Sequence, residues 1–160
     1  MKLYLKSKII SDPAVFALMK GRSMYGWGAR YGEYVADKFI KAKGAFIGFE
    51  PDDNPEVFDA LLTPNPYDLV YLKALGTTST RLCVMGVGFF VNDKIYQDDE
   101  LGIGRKINWL SDDEIYLPAG WQNDKFRNHR LGTIYQEFSP RIQRRIIDIF
   151  LNPEEYDGEV

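Results

Sequence analysis

The sequence predicts an α+β fold: a curled, largely antiparallel sheet with flanking helices. Three observations point there. A helical pattern runs early, over Arg30 to Lys43, and another runs late, over Pro140 to Leu151. Between them lie short β-rich runs separated by turn residues. The length of 160 residues matches one domain with a core of its own. The expected organisation is a single domain over residues 1–152, then a tail over 153–160 with four acidic residues and no basic one.

The early helix rests on Tyr31, Tyr34, Val35 and Phe39 at helical spacing, with Lys38 and Lys41 outside the apolar stripe and Gly44 as the stop signal. The late helix has Ser139 as N-cap and Pro140 at its first position. Its buried stripe is Ile142, Ile146, Ile149 and Phe150, and Pro153 closes it. A shorter helix is read around Pro13 to Met19. Strands are read at Ala45–Phe49, Leu69–Lys73, Arg81–Val91, Lys106–Leu110, Glu114–Leu117 and Leu131–Phe138. Leu69–Lys73 follows the turn Pro64-Asn65-Pro66. Gly86 and Gly88 lie inside one strand, which suggests a bulge or a bend of the kind that curls a sheet towards a barrel.

Composition narrows the chemistry. One Cys and one His cannot make an internal disulfide, a Cys-rich zinc site or a His-rich metal centre, so no cofactor or metal is expected. Cys83 lies in the apolar run Leu82 to Met85 and reads as a buried, inert thiol in a reduced, cytoplasmic setting. No apolar window of about 18 residues exists, so no membrane partner is expected. Met1 to Ile10 spreads Lys2, Lys6 and Lys8 among apolar residues and does not read as a signal peptide. The net charge of -3 argues against indiscriminate coating of nucleic acid. That charge is unevenly distributed. Lys20 to Lys43 holds six basic and two acidic residues; Arg127 to Arg145 holds five Lys/Arg and one Glu. Glu50 to Asp59 holds five acids and no base. The basic stretches are either one converging patch or the solvated faces of two helices.

Motifs separate in the same way. Gly86-Val87-Gly88 lacks the third glycine and the following helix of a phosphate loop, and it continues as strand. The pairs Asp52-Asp53, Asp98-Asp99 and Asp112-Asp113 adjoin turns, where Asp accepts local hydrogen bonds. His129, between Arg127 and Arg130, has no nucleophile in a recognisable setting, so no catalytic residues are expected. Tyr25-Gly26-Trp27-Gly28 reads as a flexible loop holding two rings beside Arg22 and Arg30, the arrangement base stacking requires. The alternative is a lid packed on the core. Trp109 reads as core, and Trp121 reads either way.

Several pieces occur in a familiar order. They are Arg30 to Tyr34, Gly44-Ala45-Phe46-Ile47-Gly48-Phe49, Pro66 to Val70, Cys83 to Val91 and Gly104-Arg105-Lys106-Ile107-Asn108-Trp109-Leu110, with Arg130 to Ile134 in weaker support. Together they resemble PUA-like domains, in particular the EVE-like, restriction-associated readers of modified bases. Phe49 stands where the family has Trp. The resemblance implies a PUA-like β-barrel and a pocket that reads a single nucleobase, often modified, between aromatic rings. On this basis the expected function is non-enzymatic recognition of nucleic acid or a nucleotide. Tyr25, Trp27 and Phe49 would supply stacking, and Arg22, Arg30, Arg105 and Arg130 would supply phosphate or base-edge contacts. A protein-interaction module, such as an inhibitor of a host defence or nucleic-acid enzyme, is the alternative. A nucleotide or RNA hydrolase ranks third.

Overall fold

The structure, a computed structural model, describes residues 20–29, 35–48, 52–74, 81–121 and 133–151. In chain order its elements are β1 (Met24–Gly28), α1 (Ala36–Ala42), β2 (Gly44–Phe46), α2 (Pro55–Leu62) and β3 (Leu69–Ala74). They continue with β4 (Cys83–Asp98), β5 (Gly102–Ser111), β6 (Ile115–Tyr116), β7 (Ile134–Gln136) and α3 (Pro140–Leu151). The strands form one mixed, mostly antiparallel sheet in the order β2-β5-β4-β3-β1-β7, with β6 also paired to β4. Among the described strands, β1 and β3 alone run parallel.

The α+β class is as expected, but the barrel is not. The sheet is neither closed nor strongly curled. Closure would need a ladder between its terminal strands, and β2 and β7 are each three residues long and pair with β5 and β1 respectively. The glycine-bearing strand does contain the expected irregularity, a register shift between Val87 and Gly88 against β5. A Cβ on Gly88 would collide with the Asn108 carbonyl, so glycine there lets the neighbouring backbone approach. The distortion is absorbed locally instead of rolling the sheet shut.

Helix α3 has the predicted bounds. The Ser139 carbonyl accepts from Gln143 N at 2.9 Å and its Oγ from Ile142 N at 3.5 Å, so the cap acts mainly through the backbone. The early helix is seen as α1, with residues 30–34 outside the described residues, as are the segment read at Pro13 to Met19 and the acidic tail. Its stop falls on Lys43 at φ 57, one residue before Gly44, which instead opens β2. Two elements escaped the sequence reading. One is β1, which read as a loop. The other is α2, capped where Asn54 Oδ1 accepts from Val57 N at 3.3 Å and opened by Pro55.

Strand alternation builds a separate core on each face. Met24, Leu69, Tyr71, Val84 and Val87 pack with Ile142, Ile146, Ile147 and Ile149 of α3. On the other side, Tyr25, Trp27, Val70, Leu72, Phe90 and Ile107 pack with Phe39 of α1 and Leu61 of α2. Large side chains buried to this degree each contribute roughly 1.5–3 kcal/mol. No helix among the described residues is long and apolar enough to cross a membrane.

Candidate functional site

The residues expected to stack bases sit in the core. Tyr25 and Trp27 lie on β1, whose neighbours on either side are β3 and β7, and the two residues are 5% and 0% exposed. Trp27 Nε1 donates to Phe46 O at 2.9 Å, and both rings pack on Phe90, at centroid distances of 5.9 Å for Tyr25 and 6.1 Å for Trp27. Burial, then the charge of Asp68, raises the Tyr25 phenol above its ordinary pKa. The glycines between these rings do not loosen a loop. A Cβ on Gly26 would collide with the Tyr135 ring, so this glycine makes room for an aromatic on the opposite face. The loop reading of Tyr25 to Gly28 is therefore replaced by the packed alternative.

Arg105 is also internal, at 1% exposure. Its Nη1 donates to Leu61 O at 3.0 Å and its Nη2 to Asn92 O at 2.6 Å, with the guanidinium 5.1 Å from the Phe90 ring centroid. It ties the end of α2 to β4 and presents no free fork to a phosphate. Burial pulls its pKa down, partly offset by Asp93 and Asp68. Arg22 is half-buried just before β1. Phe49, Arg30, Arg130 and His129 lie outside the described residues.

The two basic stretches do not converge through their helices. Helix α1 packs on one face of the sheet and α3 on the other. On α1, Lys38 Nζ is 2.7 Å from Glu100 Oε1. On α3, Arg141 lies 4.8 Å from the centroid of half-buried Trp121, which packs at the edge of the α3-side core. One of the turn acids plays the expected local role. Asp98 Oδ1 accepts from Glu100 N and Leu101 N, both at 2.9 Å. Among the described residues, no three His, Cys, Asp or Glu side chains are grouped to hold a metal ion.

A ring and two cations line a common cavity at the open flank of β5. Strand β2 reaches only as far as the Gly44–Lys106 pair, where Ile107 N adds a last bond to Lys43 O at 2.9 Å. Beyond it a cavity of about 360 Å³ opens, lined by Ile40, Lys43, Val91, Lys106, Ile107, Asn108 and Trp109. Trp109 is half-buried and donates Nε1 to Gly44 O at 3.2 Å, which pins its ring against β2. Lys43, Lys106 and Asn108 are exposed. The cleft thus combines an aromatic surface, two exposed ammonium groups and an amide able to donate and accept. The sequence reading passed over Lys43, Lys106 and Asn108. The signal available was the alternation Lys106-Ile107-Asn108-Trp109, which sets Lys106 and Asn108 on one face of β5 and Ile107 and Trp109 on the other, so the two pairs border the cleft from either side of the strand's unpaired edge.

A second polar cluster is sealed. Tyr71 donates to Glu137 Oε1 at 2.6 Å, the Tyr71 and Tyr135 hydroxyls are 2.7 Å apart, and Ser139 N donates to Glu137 Oε2 at 3.0 Å. Burial, then the neighbouring Tyr135 and Glu137, pushes the Tyr71 phenol well above its ordinary pKa. Lys73 lies 5.6 Å from the Tyr135 ring centroid, and burial lowers its pKa to about 8. These bonds anchor β7 and the start of α3 to β3. Cys83 is buried as expected, and burial, then Glu114, pushes its thiol up to about 12.

No family model, curated protein or solved structure matches this chain.

Proposed function

We propose that this chain is a non-enzymatic binding module for nucleic acid or a nucleotide, and that the β5 flank is its site. The observation that carries the proposal is the cleft itself. Trp109 supplies the stacking face, Lys43 and Lys106 the positive charge, and Asn108 a base-edge partner, in a cavity of about 360 Å³. The sequence pieces that resemble PUA-like and EVE-like domains add support. Three of them fall on β2, β4 and β5, which are neighbours in the sheet and meet beside this cleft. The pairing of ring and cation expected at Tyr25, Trp27 and Arg105 is thereby transferred to Trp109, Lys43 and Lys106.

The test is a binding titration with short oligonucleotides, modified and unmodified, across a salt series. The expected result is salt-dependent binding. Trp109→Ala should weaken it by about tenfold, and Lys106→Gln should reduce the log–log salt slope by about one. Unchanged affinity in both variants would remove the cleft from consideration.

A protein-interaction reading also has a specific observation in its favour. Tyr67 is 58% exposed, holds φ 69 and stacks on Phe89 at 6.0 Å. Its loop is fixed because Asp68 accepts from Ser23 N and Asn65 N, both at 2.9 Å. An exposed ring held in left-handed backbone offers a fixed contact point to a partner protein. Co-purification of a stable partner that is lost in Tyr67→Ala, without nucleic-acid affinity, would favour this reading.

A further inference from the structure

We infer that the cleft recognises a terminal phosphomonoester, as on a nucleoside monophosphate or a phosphorylated strand end, and not an internal nucleotide. This rests on the reading of the cleft as a nucleotide site and narrows its ligand.

Three features carry the inference. The first is charge. Lys43 and Lys106 border one cavity because the β2–β5 ladder ends beside them, with Gly44 opposite Lys106 and Ile107 N bonded to Lys43 O. None of the residues lining the cleft carries a negative charge to offset them. Two ammonium groups match a phosphomonoester, which holds about -1.5 to -2 at neutral pH, better than a singly charged diester. The second is size. A cavity of about 360 Å³ is at the small end of ligand sites and suits one nucleotide, not a duplex. The third is the single ring. Among the lining residues Trp109 alone is aromatic, so a base can stack on one side only and no two-ring cage is formed. Recognition then depends more on the phosphate than on a base modification.

The chemistry is shared by free mononucleotides and by phosphorylated ends, and the experiment separates them. Calorimetric titration of the full chain at low salt uses four probes: AMP, adenosine, and a short oligo-dA with or without a 5′-phosphate. At least one phosphorylated probe is expected to bind about tenfold or more tightly than its unphosphorylated counterpart. Binding of AMP alone identifies a free nucleotide as the source; binding of the phosphorylated strand identifies an end. Both outcomes support the inference. The exposed double variant Lys43→Gln/Lys106→Gln should lose the preference while its circular dichroism spectrum stays native. Equal affinity for the two oligonucleotides, with no difference between AMP and adenosine, overturns the inference and leaves nucleic-acid binding standing. Absence of binding to all four probes, together with unmodified and modified strands, overturns both.

Discussion

Trp27 and Trp109 each donate an indole N–H to a carbonyl of β2, at Phe46 O and Gly44 O respectively, yet one is sealed and the other borders a cleft. Each stands near glycine and basic residues in the sequence. The difference lies in what the ladders place around them. Strand β1 has β3 on one side and β7 on the other, and the Trp27 side chain turns into a core closed by Phe90 and Phe46. Strand β5 loses its β2 neighbour after Lys106, so the flank holding Trp109 stays open. Exposure of a ring is therefore set by where a neighbouring strand stops.

This contrast predicts different costs for the same substitution. Trp27→Ala should cost about 3–5 kcal/mol of folding stability, through lost burial and a large cavity. Trp109→Ala should cost about 1–2 kcal/mol, because part of its ring already faces the cleft. Urea unfolding at one pH measures both. Similar losses would mean that the two rings share one kind of environment, and the assignment of Trp109 to a binding surface would fail.

Gly26→Ala should come next, at about 1–3 kcal/mol. The added methyl would meet the Tyr135 ring, which is held in place by its contact with the Tyr71 hydroxyl. If the segment were a flexible loop, the same change would be neutral or stabilising, because it would restrict the unfolded chain without straining the folded one. Tyr135→Leu in the same chain should recover part of the loss, a coupling that a double-mutant cycle reads directly.

The segment around Gly26 also explains what could be read from the sequence. Helix α3 was legible to the residue because its cap, its proline and its isoleucine spacing are local signals. β3 was legible through its flanking turn. β1 was missed because a Gly-x-Gly pattern has the same local meaning in a loop and in a strand that must admit a ring from a distant element; Tyr135 is remote in sequence. α2 was hidden by its acids, although Val57, Phe58 and Leu61 already showed helical spacing. Arg105 looked like a phosphate ligand because its two carbonyl partners, on Leu61 and Asn92, are supplied only by tertiary packing. The cleft was illegible for the same reason. Lys43 ends one helix and Lys106 lies mid-strand, and only the β2–β5 register sets them beside one cavity.

The smallest expected effect concerns the sealed side of the sheet. Lys73 is 6% exposed, and burial lowers its pKa from 10.5 to about 8. Between these values the unfolded chain holds more of the proton than the folded one, so stability must rise with pH as the buried ammonium is relieved. Cys83 acts in the opposite sense. Its pKa is raised from 9.0 to about 12, so its contribution is present below 9 and is lost as pH climbs towards 12. The Lys73 effect therefore stands clear between about pH 8 and 9. Stability should increase there by about 1 kcal/mol, within the limit of roughly 1.4 kcal/mol per pH unit for one proton. Lys73→Met should flatten that rise and gain stability below pH 8. Urea unfolding across the window distinguishes the outcomes: a wild-type stability that falls, or an equal slope in the variant, would show that the ammonium is not held at an energetic cost.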